Sequence, residues 1–229
     1  MAAERQVKLY YSNGSPFARK VRIVLAELGL PYESDINDNL RPVEGMLGPT
    51  LAVPVLEDGG LTLWESDLVV DYLLTTYGGA AKPAGDPPLA PWLARPEHRW
   101  EDQRLLATIA TYAGSMINLR MMLVDGLTPD NSDYLARQRA RAERCLDWLE
   151  ARVTPEGFLP GWFSIPDIAF ICPTVFCEAR GVMPWRGRPG LEKLFDRCRT
   201  RPSMMATEIN VVPPMRPRYI VERRPAAPG

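Results

Sequence analysis

Apolar and polar positions alternate at the start of the chain, and the pattern then changes to a helical spacing. In VKLYY (residues 7–11), every second side chain falls on one face of an extended strand, as a period of two requires. Asn13 and Gly14 then mark a turn. Ser15 can accept a hydrogen bond as an N-cap, and Pro16 lacks the donor that the first helical position leaves unused. The opening segment therefore predicts a strand, a tight turn and a helix that begins at Ser15.

The predicted helix has one apolar face, but its charges oppose the helix dipole. Gly29 fits a left-handed C-cap at its end. Arg19, Lys20 and Arg22 lie near the positive end of the dipole and Glu27 lies near the negative end, which is unfavourable for all four. Such local conflicts are typical of functional regions, and free amides beside cations attract an anion. This helix start is therefore a candidate anion site.

The next segments predict the rest of a small sheet. Residues 31–36 form a second strand, which completes a right-handed βαβ unit. Residues 53–56 and 61–64, joined by a glycine turn, predict an antiparallel hairpin. Pro54 cannot donate to a ladder, so it belongs at an edge or bend, and its preceding peptide bond is one that can be cis. Ser66 is predicted to cap the helix that follows. The element order is βαβ-ββα.

A Gly-, Ala- and Pro-rich stretch separates this unit from a region of helical periodicity. Helices are predicted over residues 97–124, 132–153 and 191–199, with a further one from Ser164 and a short one after residue 202. At Ser164, the side chains of Ser164 and Asp167 can exchange bonds with each other's amides, which is the pattern of a structural capping box. The predicted organisation is residues 1–80, an α/β domain; 81–96, a linker; 97–210, an all-α domain; and 211–229, a Pro/Arg-rich tail.

Composition and charge limit the classes of function that we expect for this chain. The 229 residues, 46% of them hydrophobic, are enough for one or two globular domains. A net charge of −1 gives no broad electrostatic footprint for nucleic acid or for an acidic membrane. The apolar runs are too short to cross a bilayer, and no signal segment opens the chain. We therefore expect a cytoplasmic protein with neither nucleic acid nor membrane as a partner.

The cysteines and the histidine do not have the spacing of a metal site. Cys145, Cys172, Cys177 and Cys198 form no CxxC pair, and the single histidine, His98, is remote from them. We predict four reduced, buried thiols and no bound metal. For His98 we predict a solvated surface position.

Four motifs follow one another in a fixed order. They are SPFARKVR after the first strand, VPVL before the hairpin, WES at the next helix start and FLPGWFSIPDIAF in the helical half. With the βαβ-ββα order, they resemble the cytosolic glutathione S-transferases over the chain to about residue 203. The resemblance implies a thioredoxin-like N-terminal domain that holds glutathione, an all-α C-terminal domain that forms most of a second-substrate pocket, and a homodimer.

The same resemblance implies a set of site residues. Ser15, in Ser15-Pro16-Phe17, falls where tau-like members have a catalytic serine and omega-like members a cysteine, and Phe17 belongs to the glutathione site. The backbone of Val53, ahead of a Pro54 that is cis in the family, would pair with the cysteinyl part of glutathione.

Further residues follow from the family pattern, with two departures. Glu65 and Ser66 would hold the γ-glutamyl group, and Ser164 with Asp167 matches the family's capping box. A lysine common in the family is replaced by Ala52, which removes an expected partner of the glycyl carboxylate. The usual Asn-Pro upstream is Gly48-Pro49. Arg41 or Arg19 could substitute for the lysine.

The chemistry at Ser15 follows from the pKa of a thiol. A free thiol has a pKa of about 8.5, so little thiolate is present at neutral pH. A hydroxyl bonded to the sulfur contributes roughly 1.5 to 3 kcal/mol, and a helix N-terminus up to about 2 kcal/mol. Since a pKa unit is about 1.4 kcal/mol, the two together lower the thiol pKa by ~1 to 3 units. Ser12, Tyr10 and Tyr11 are rival hydroxyls, and Ser15 as a simple cap is the structural alternative.

The predicted function is therefore a glutathione transferase that attacks a small, largely apolar electrophile. Tyr112 and Met116, with Met122, are candidates to line the second-substrate pocket, and core packing is their alternative. Ser15 and Ala18 occupy the two positions of a thioredoxin-type CxxC, so thiol-disulfide exchange is disfavoured. The alternative functions are a non-catalytic glutathione- or hydrophobe-binding protein and a glutathione-dependent dehalogenase or isomerase.

Overall fold

The computed structural model describes residues 6–36, 49–50, 52–79, 85–91 and 94–209. Most of the predicted connection at 37–49, including Arg41, and the predicted tail at 211–229 lie outside these residues. In chain order the elements are β1 (Val7–Tyr11), α1 (Pro16–Leu28), β2 (Glu33–Ile36), β3 (Val55–Asp58), β4 (Leu61–Trp64), α2 (Ser66–Tyr77), a 3-10 turn (Pro96–His98), α3 (Arg99–Val124), α4 (Asp133–Glu150), α5 (Ile165–Glu178), α6 (Pro189–Arg199) and α7 (Pro202–Ala206).

The strands form one mixed sheet in the order β2-β1-β3-β4. β1 and β2 are parallel, as the βαβ prediction requires, and β3 and β4 form the predicted antiparallel hairpin. β2 begins at Glu33 rather than at residue 31, and β3 begins at Val55 rather than at residue 53. The second difference has a simple cause, since Pro54 has no amide hydrogen to give to a ladder. The predicted fold class is confirmed.

The sheet register collects three chain segments at one end of the sheet. Tyr10 near the end of β1 lies opposite Val55 at the start of β3. Val55 in turn lies opposite Trp64 at the end of β4. The residues that follow β1, precede β3 and follow β4 therefore emerge together, although they are more than 50 residues apart in sequence at the extremes.

Helix α1 begins and ends as its sequence predicts. Ser15 is the N-cap, and its hydroxyl oxygen accepts a hydrogen bond from the Ala18 amide at 3.2 Å. Gly29 has a φ of 60° in the left-handed region, and the amide of Leu30 donates to the Leu25 carbonyl at 3.0 Å. Both ends are thus satisfied by the residue types that the local geometry favours.

The start of α2 differs from its prediction. Ser66 is the first helical residue, and the N-cap position is taken by Glu65, whose side chain makes no capping bond. Glu65 has a φ of 68°, which turns the chain from β4 into α2 over a single residue. The prediction that Ser66 caps the helix is wrong because this sharp turn moves the helix boundary by one position.

The charges of α1 that oppose the dipole are used in packing. Arg19 is buried and its Nη2 donates to the Met204 carbonyl of α7 at 3.0 Å, while Lys20 pairs with Asp67 of α2. Glu27 is buried against Arg201, with Oε1 2.6 Å from Nε. Because the Arg19 side chain is buried against α7, the structure does not support it as a replacement for the family's lysine at residue 52. The conflict with the dipole is offset by one contact with α2 in the same half and by two contacts with the C-terminal segment around α7.

In the helical half, α5 is the helix that packs against α1. Helix α3 packs against both α4 and α5. α3 begins two residues later than predicted, because a 3-10 turn occupies residues 96–98. The segment before it is tied to α5, since the Ala90 amide donates to the Phe163 carbonyl and the Phe163 amide to the Pro88 carbonyl, both at 2.9 Å. These bonds fix the connection close to the start of α5.

All four cysteines are free and buried, as predicted. Burial raises the pKa of Cys172 to about 11, so that side chain is a neutral thiol at neutral pH. His98 is exposed at the surface, as predicted, and its Nδ1 lies 2.8 Å from Glu101 Oε2. Within the described ranges there is no group of three His, Cys, Asp or Glu side chains placed to hold a metal ion, and no helix with the length and hydropathy of a membrane span.

Candidate active site

The candidate site lies at the end of the sheet, where the segments after β1, before β3 and after β4 meet. The loop after β1 carries Ser12 to Ser15, the turn before β3 carries Val53 and Pro54, and the turn after β4 carries Glu65 and Ser66. Of the six residues predicted to act on glutathione, only Phe17 lies within a helix beyond its first position. It is half-buried on α1, next to the loop.

Ser15 is half-exposed at the N-terminus of α1. Its hydroxyl oxygen accepts one bond from Ala18, and in the described part of the chain its hydrogen has no acceptor. The free amides of the first helical turn add partial positive charge at the same point. The side chain can therefore cap the helix and donate to an outside anion at the same time.

The three rival hydroxyls are less suitable by geometry. Ser12 is buried, and its oxygen accepts a bond from the Gly14 amide at 3.3 Å. Tyr10 donates to Glu57 Oε2 at 2.9 Å, and partial burial together with the Glu57 carboxylate raises the pKa of Tyr10. Tyr11 is buried on the core face of β1. The geometry thus favours Ser15 among the four.

The bond between Val53 and Pro54 is cis, the form that the family resemblance implies. Pro54 is buried and Val53 is half-buried just before β3, so the backbone groups of Val53 lie at the end of the sheet rather than inside it. Ala52, in the place of the family's lysine, is exposed. Residue 52 can therefore contact a ligand, but its side chain is an uncharged methyl group.

Glu65 is the one non-glycine residue with a positive φ in the described part of the chain. A conformation of this kind costs about 1 to 3 kcal/mol, and such strain is concentrated at functional sites. The Glu65 side chain is exposed, whereas Ser66 beside it is buried at the N-terminus of α2. A free carboxylate therefore stands next to a helix N-terminus, which suits a ligand that carries both an ammonium and a carboxylate.

A cation from the helical half also borders the loop, and no sequence pattern predicted it. Arg180 follows α5, and a Cβ atom built on Gly14 would lie 3.6 Å from its Nη2. On the other side, Arg22 Nη1 lies 3.4 Å from Asn13 Oδ1. The loop is thus flanked by guanidinium groups from α1 and from the end of α5.

Tyr112 and Met116 do not lie on an open surface. Both have no solvent-exposed area, and Tyr112 stacks on Phe170 with ring centroids 6.0 Å apart. The Tyr112 hydroxyl lies 3.2 Å from Thr174 Oγ1. This burial supports the packing alternative for both residues and not the pocket role. Met122, the third candidate, is half-buried near the end of α3.

Comparison with known proteins agrees with this geometry. Family models of the N-terminal and C-terminal domains of glutathione S-transferases match residues 9–81 and 132–197. Glutathione S-transferase GstB of Escherichia coli (strain K12) is 28% identical over 211 residues, which cover 86% of this chain and 95% of that protein.

Two solved structures extend the comparison. A glutathione S-transferase from Methylobacterium radiotolerans, in complex with glutathione sulfonate, is 25% identical with a TM-score of 0.73, over 92% of this chain and 97% of that one. A glutathione transferase family member from Pseudomonas fluorescens Pf-5, with bound S-(propanoic acid)-glutathione, is 26% identical with a TM-score of 0.69, over 91% and 100% of the two chains. The thioredoxin-like sheet, the helical half and these matches agree, and the chain belongs to the glutathione S-transferase family.

Proposed function

We propose that the protein is a glutathione transferase in which Ser15 holds the sulfur of glutathione as a thiolate for attack on a small electrophile. The observation that carries the proposal is the unused hydrogen of a half-exposed Ser15 hydroxyl at the N-terminus of α1. A hydroxyl that donates to sulfur stabilises the thiolate and not the thiol, so it lowers the thiol pKa. Ser15 itself forms no covalent bond in this scheme.

The rest of the tripeptide is assigned to the other two segments. The exposed Glu65 carboxylate pairs with the ligand's ammonium group, and the α-carboxylate of the γ-glutamyl residue meets the N-terminus of α2 at Ser66. The backbone of Val53 pairs with the cysteinyl unit beside the cis bond. Support comes from the two solved relatives, which were crystallised with glutathione derivatives.

The test is Ser15→Ala, with Ser15→Thr as its matched control. With 1-chloro-2,4-dinitrobenzene as electrophile, the alanine variant is expected to lose at least about tenfold in conjugation rate, which corresponds to one lost hydrogen bond in the transition state. Its rate profile should move to higher pH by about one unit, because the thiolate loses a donor. The threonine variant keeps both cap and donor and should stay within about threefold of the wild type.

Glutathione affinity and thermal unfolding of Ser15→Ala should remain close to those of the wild type. An unchanged rate and pH profile in that variant would transfer the role to Ser12 or to water and would contradict the proposal. A protein that binds glutathione by calorimetry but conjugates none of several electrophiles would instead be the non-catalytic binding protein, an alternative that the exposed Ala52 favours. Release of halide, or isomerisation, would indicate the other uses of the same thiolate.

Several further features belong to this proposal and follow from the family. We infer a homodimer in the cytoplasm, a detoxifying role, and an electrophile whose body is largely apolar. Sedimentation of the purified protein measures the first of these directly. A monomer at micromolar concentration would contradict it.

A further inference from the structure

Arg180 of the helical half lies beside the loop that carries Ser15, and a second cation, Arg120, acts on it. Arg180 follows the end of α5, and its Nη2 would lie 3.6 Å from a Cβ atom on Gly14, one residue before Ser15. Arg120 lies in the last turns of α3, and its charge acts on the Arg180 guanidinium. The helical half therefore supplies two coupled cations, of which Arg180 borders the loop.

Arg180 is held in place by its own helix. Its Nη1 donates to the Phe176 carbonyl at 3.3 Å, and its guanidinium carbon lies 4.0 Å from the centre of the Phe176 ring. A stacked guanidinium keeps the remaining donors of its fork free and oriented. The group is therefore positioned before any ligand arrives.

Among the residues that the structure describes, neither arginine has an acidic partner. Across the described ranges, the ion pairs involve other arginines and lysines, and no carboxylate lies within 4.0 Å of Arg120 or Arg180. Burial lowers the pKa of Arg180, and the neighbouring charge of Arg120 lowers it further. Two like charges that have no counterion in the described ranges, with Arg180 partly desolvated, destabilise the empty protein, and an anionic ligand removes that cost.

We propose that the electrophile carries a carboxylate, and that Arg180 with Arg120 binds it while the sulfur is held at Ser15. This inference rests on the proposed transferase function and names the substrate class of the same site. The planar fork of an arginine matches the two oxygens of a carboxylate, so the contact orients the substrate as well as attracting it. The rest of the electrophile remains apolar.

The reaction with a suitable probe is a substitution on an aromatic ring. For 4-chloro-3-nitrobenzoate, the thiolate sulfur forms a bond to the ring carbon that bears chlorine, and the ring and nitro group take up the electron pair. The C–Cl bond then breaks and chloride leaves with its pair. The thiol proton has already gone to solvent, and the carboxylate is unchanged throughout.

The experiment compares this carboxylate with 4-chloro-3-nitrobenzamide, which is neutral and reacts at the same carbon. Each kcat/KM is divided by the uncatalysed rate constant, so that the difference in ring activation cancels. We expect the wild type to favour the carboxylate by at least about tenfold, the value of one charge-assisted contact. Arg180→Gln should bring this preference close to one, and Arg120→Gln should reduce it by about threefold or more.

Two control variants separate the effect of the Arg180 charge from the effect of its planar geometry and from that of the protein's overall positive charge. Arg180→Lys keeps the charge without the fork and should retain part of the preference. Arg137→Gln removes an exposed arginine of α4 and should leave both substrates unchanged. Circular dichroism of each variant checks that the helices and the unfolding temperature are retained.

Two results would overturn the inference while leaving the transferase function in place. One is a wild-type preference near one, and the other is an equal loss for both substrates in Arg180→Gln, which would assign Arg180 to the thiolate. If neither substrate turns over, calorimetric titration with the two finished conjugates decides. Equal dissociation constants refute the carboxylate site, and failure to bind either conjugate or glutathione refutes the proposed function as well.

Discussion

Two helix starts in this molecule use the same residue types and differ in what they leave open. α1 begins with Ser15 followed by proline, and α5 begins with Ser164, with Pro166 at its second position. In α5, Asp167 returns a bond to Ser164, whereas Ala18 holds that position in α1 and returns none. The start of α5 is closed, because its two capping side chains bond to each other's backbone, whereas the start of α1 keeps a hydrogen-bond donor for a ligand.

The closed start is fully satisfied. Ser164 donates from Oγ to Asp167 Oδ2 at 2.7 Å and from its amide to the same oxygen at 2.8 Å. The Phe158 amide donates to Asp167 Oδ1 at 3.0 Å, and both Ser164 and Asp167 have no exposed area. At the end of the sheet, by contrast, the Ser15 hydrogen has no acceptor among the described residues, and the Glu65 side chain makes no capping bond. Of these two starts, the closed one lies in the core and the open one lies where a ligand is expected.

The largest effect is expected from Asp167→Ala. It removes the acceptor of three buried donors, and each unsatisfied donor costs about 1 to 3 kcal/mol, so unfolding should become easier by roughly 4 kcal/mol. Chemical denaturation measures this loss. Asp196→Ala, at an exposed position on α6, is the control and should stay within about 0.5 kcal/mol. A loss below 1 kcal/mol in Asp167→Ala would mean that the closed start contributes little.

The next effect separates the two serines directly. Ser164→Ala should cost about 2 kcal/mol of stability, because it leaves a buried amide unpaired, and should not change the activity of the folded protein. Ser15→Ala should cost about 1 kcal/mol or less at its partly exposed cap, while it slows conjugation. Denaturation curves and rates are measured for both variants. Equal effects on stability and on rate would remove the distinction between the two starts.

A smaller change, of opposite sign, is expected at the start of α2. Glu65→Gly relieves a φ of 68° and should stabilise the protein by about 1 kcal/mol, after the entropy cost of glycine is subtracted. It should also weaken glutathione binding at least about tenfold, because the carboxylate is lost. Glu65→Ala loses the same carboxylate without relieving the backbone, so it should lose affinity and gain no stability. Similar unfolding curves for the two variants would show that the turn is not strained.

The smallest effect is a dependence on pH at the closed start. Burial raises the pKa of Asp167 above its ordinary 3.8, and its three donors partly oppose this. Above pH 3.8, the unfolded chain has released this proton while the folded protein still holds it. The free energy of unfolding therefore falls as pH rises through the folded pKa. The slope is at most about 1.4 kcal/mol per pH unit. Asp167→Asn should lack it, so the wild type should lose stability relative to this variant on going upward from pH 4. A difference that grows with pH would contradict the sign.

Sequence patterns predicted the local elements well, because caps and periodicity act over a few residues. Ser15, Gly29 and the box at Ser164 were placed correctly for this reason. Ser66 was misplaced as a cap, since a positive φ at a glutamate has no local sequence pattern. Tyr112 lies on the expected buried stripe of α3, but spacing alone could not distinguish a pocket wall from the core.

The features that define the candidate site in detail depend on distant parts of the chain. Arg180 is 165 residues from Ser15 and follows a helix, where a cation is ordinarily explained by the dipole. The charges of Arg19 and Glu27 seemed to indicate a site, yet their partners Met204 and Arg201 lie in the last helix and just before it. Pairing over such separations depends on how the two halves pack, and the hydrophobic periodicity of the sequence does not predict it.

By itself, the sequence determined the order of strands and helices, the start of α1 at Ser15 and the closed start of α5, since short-range hydrogen bonds and side-chain alternation specify all three. Only the tertiary structure decided that the ends of three strands meet, that Glu65 is turned into a positive φ, and that Arg180, coupled to Arg120, lies beside the loop. The physical reason is range: a cap is satisfied within one helical turn, whereas a charge without a counterion is recognised only when every neighbour in space is known.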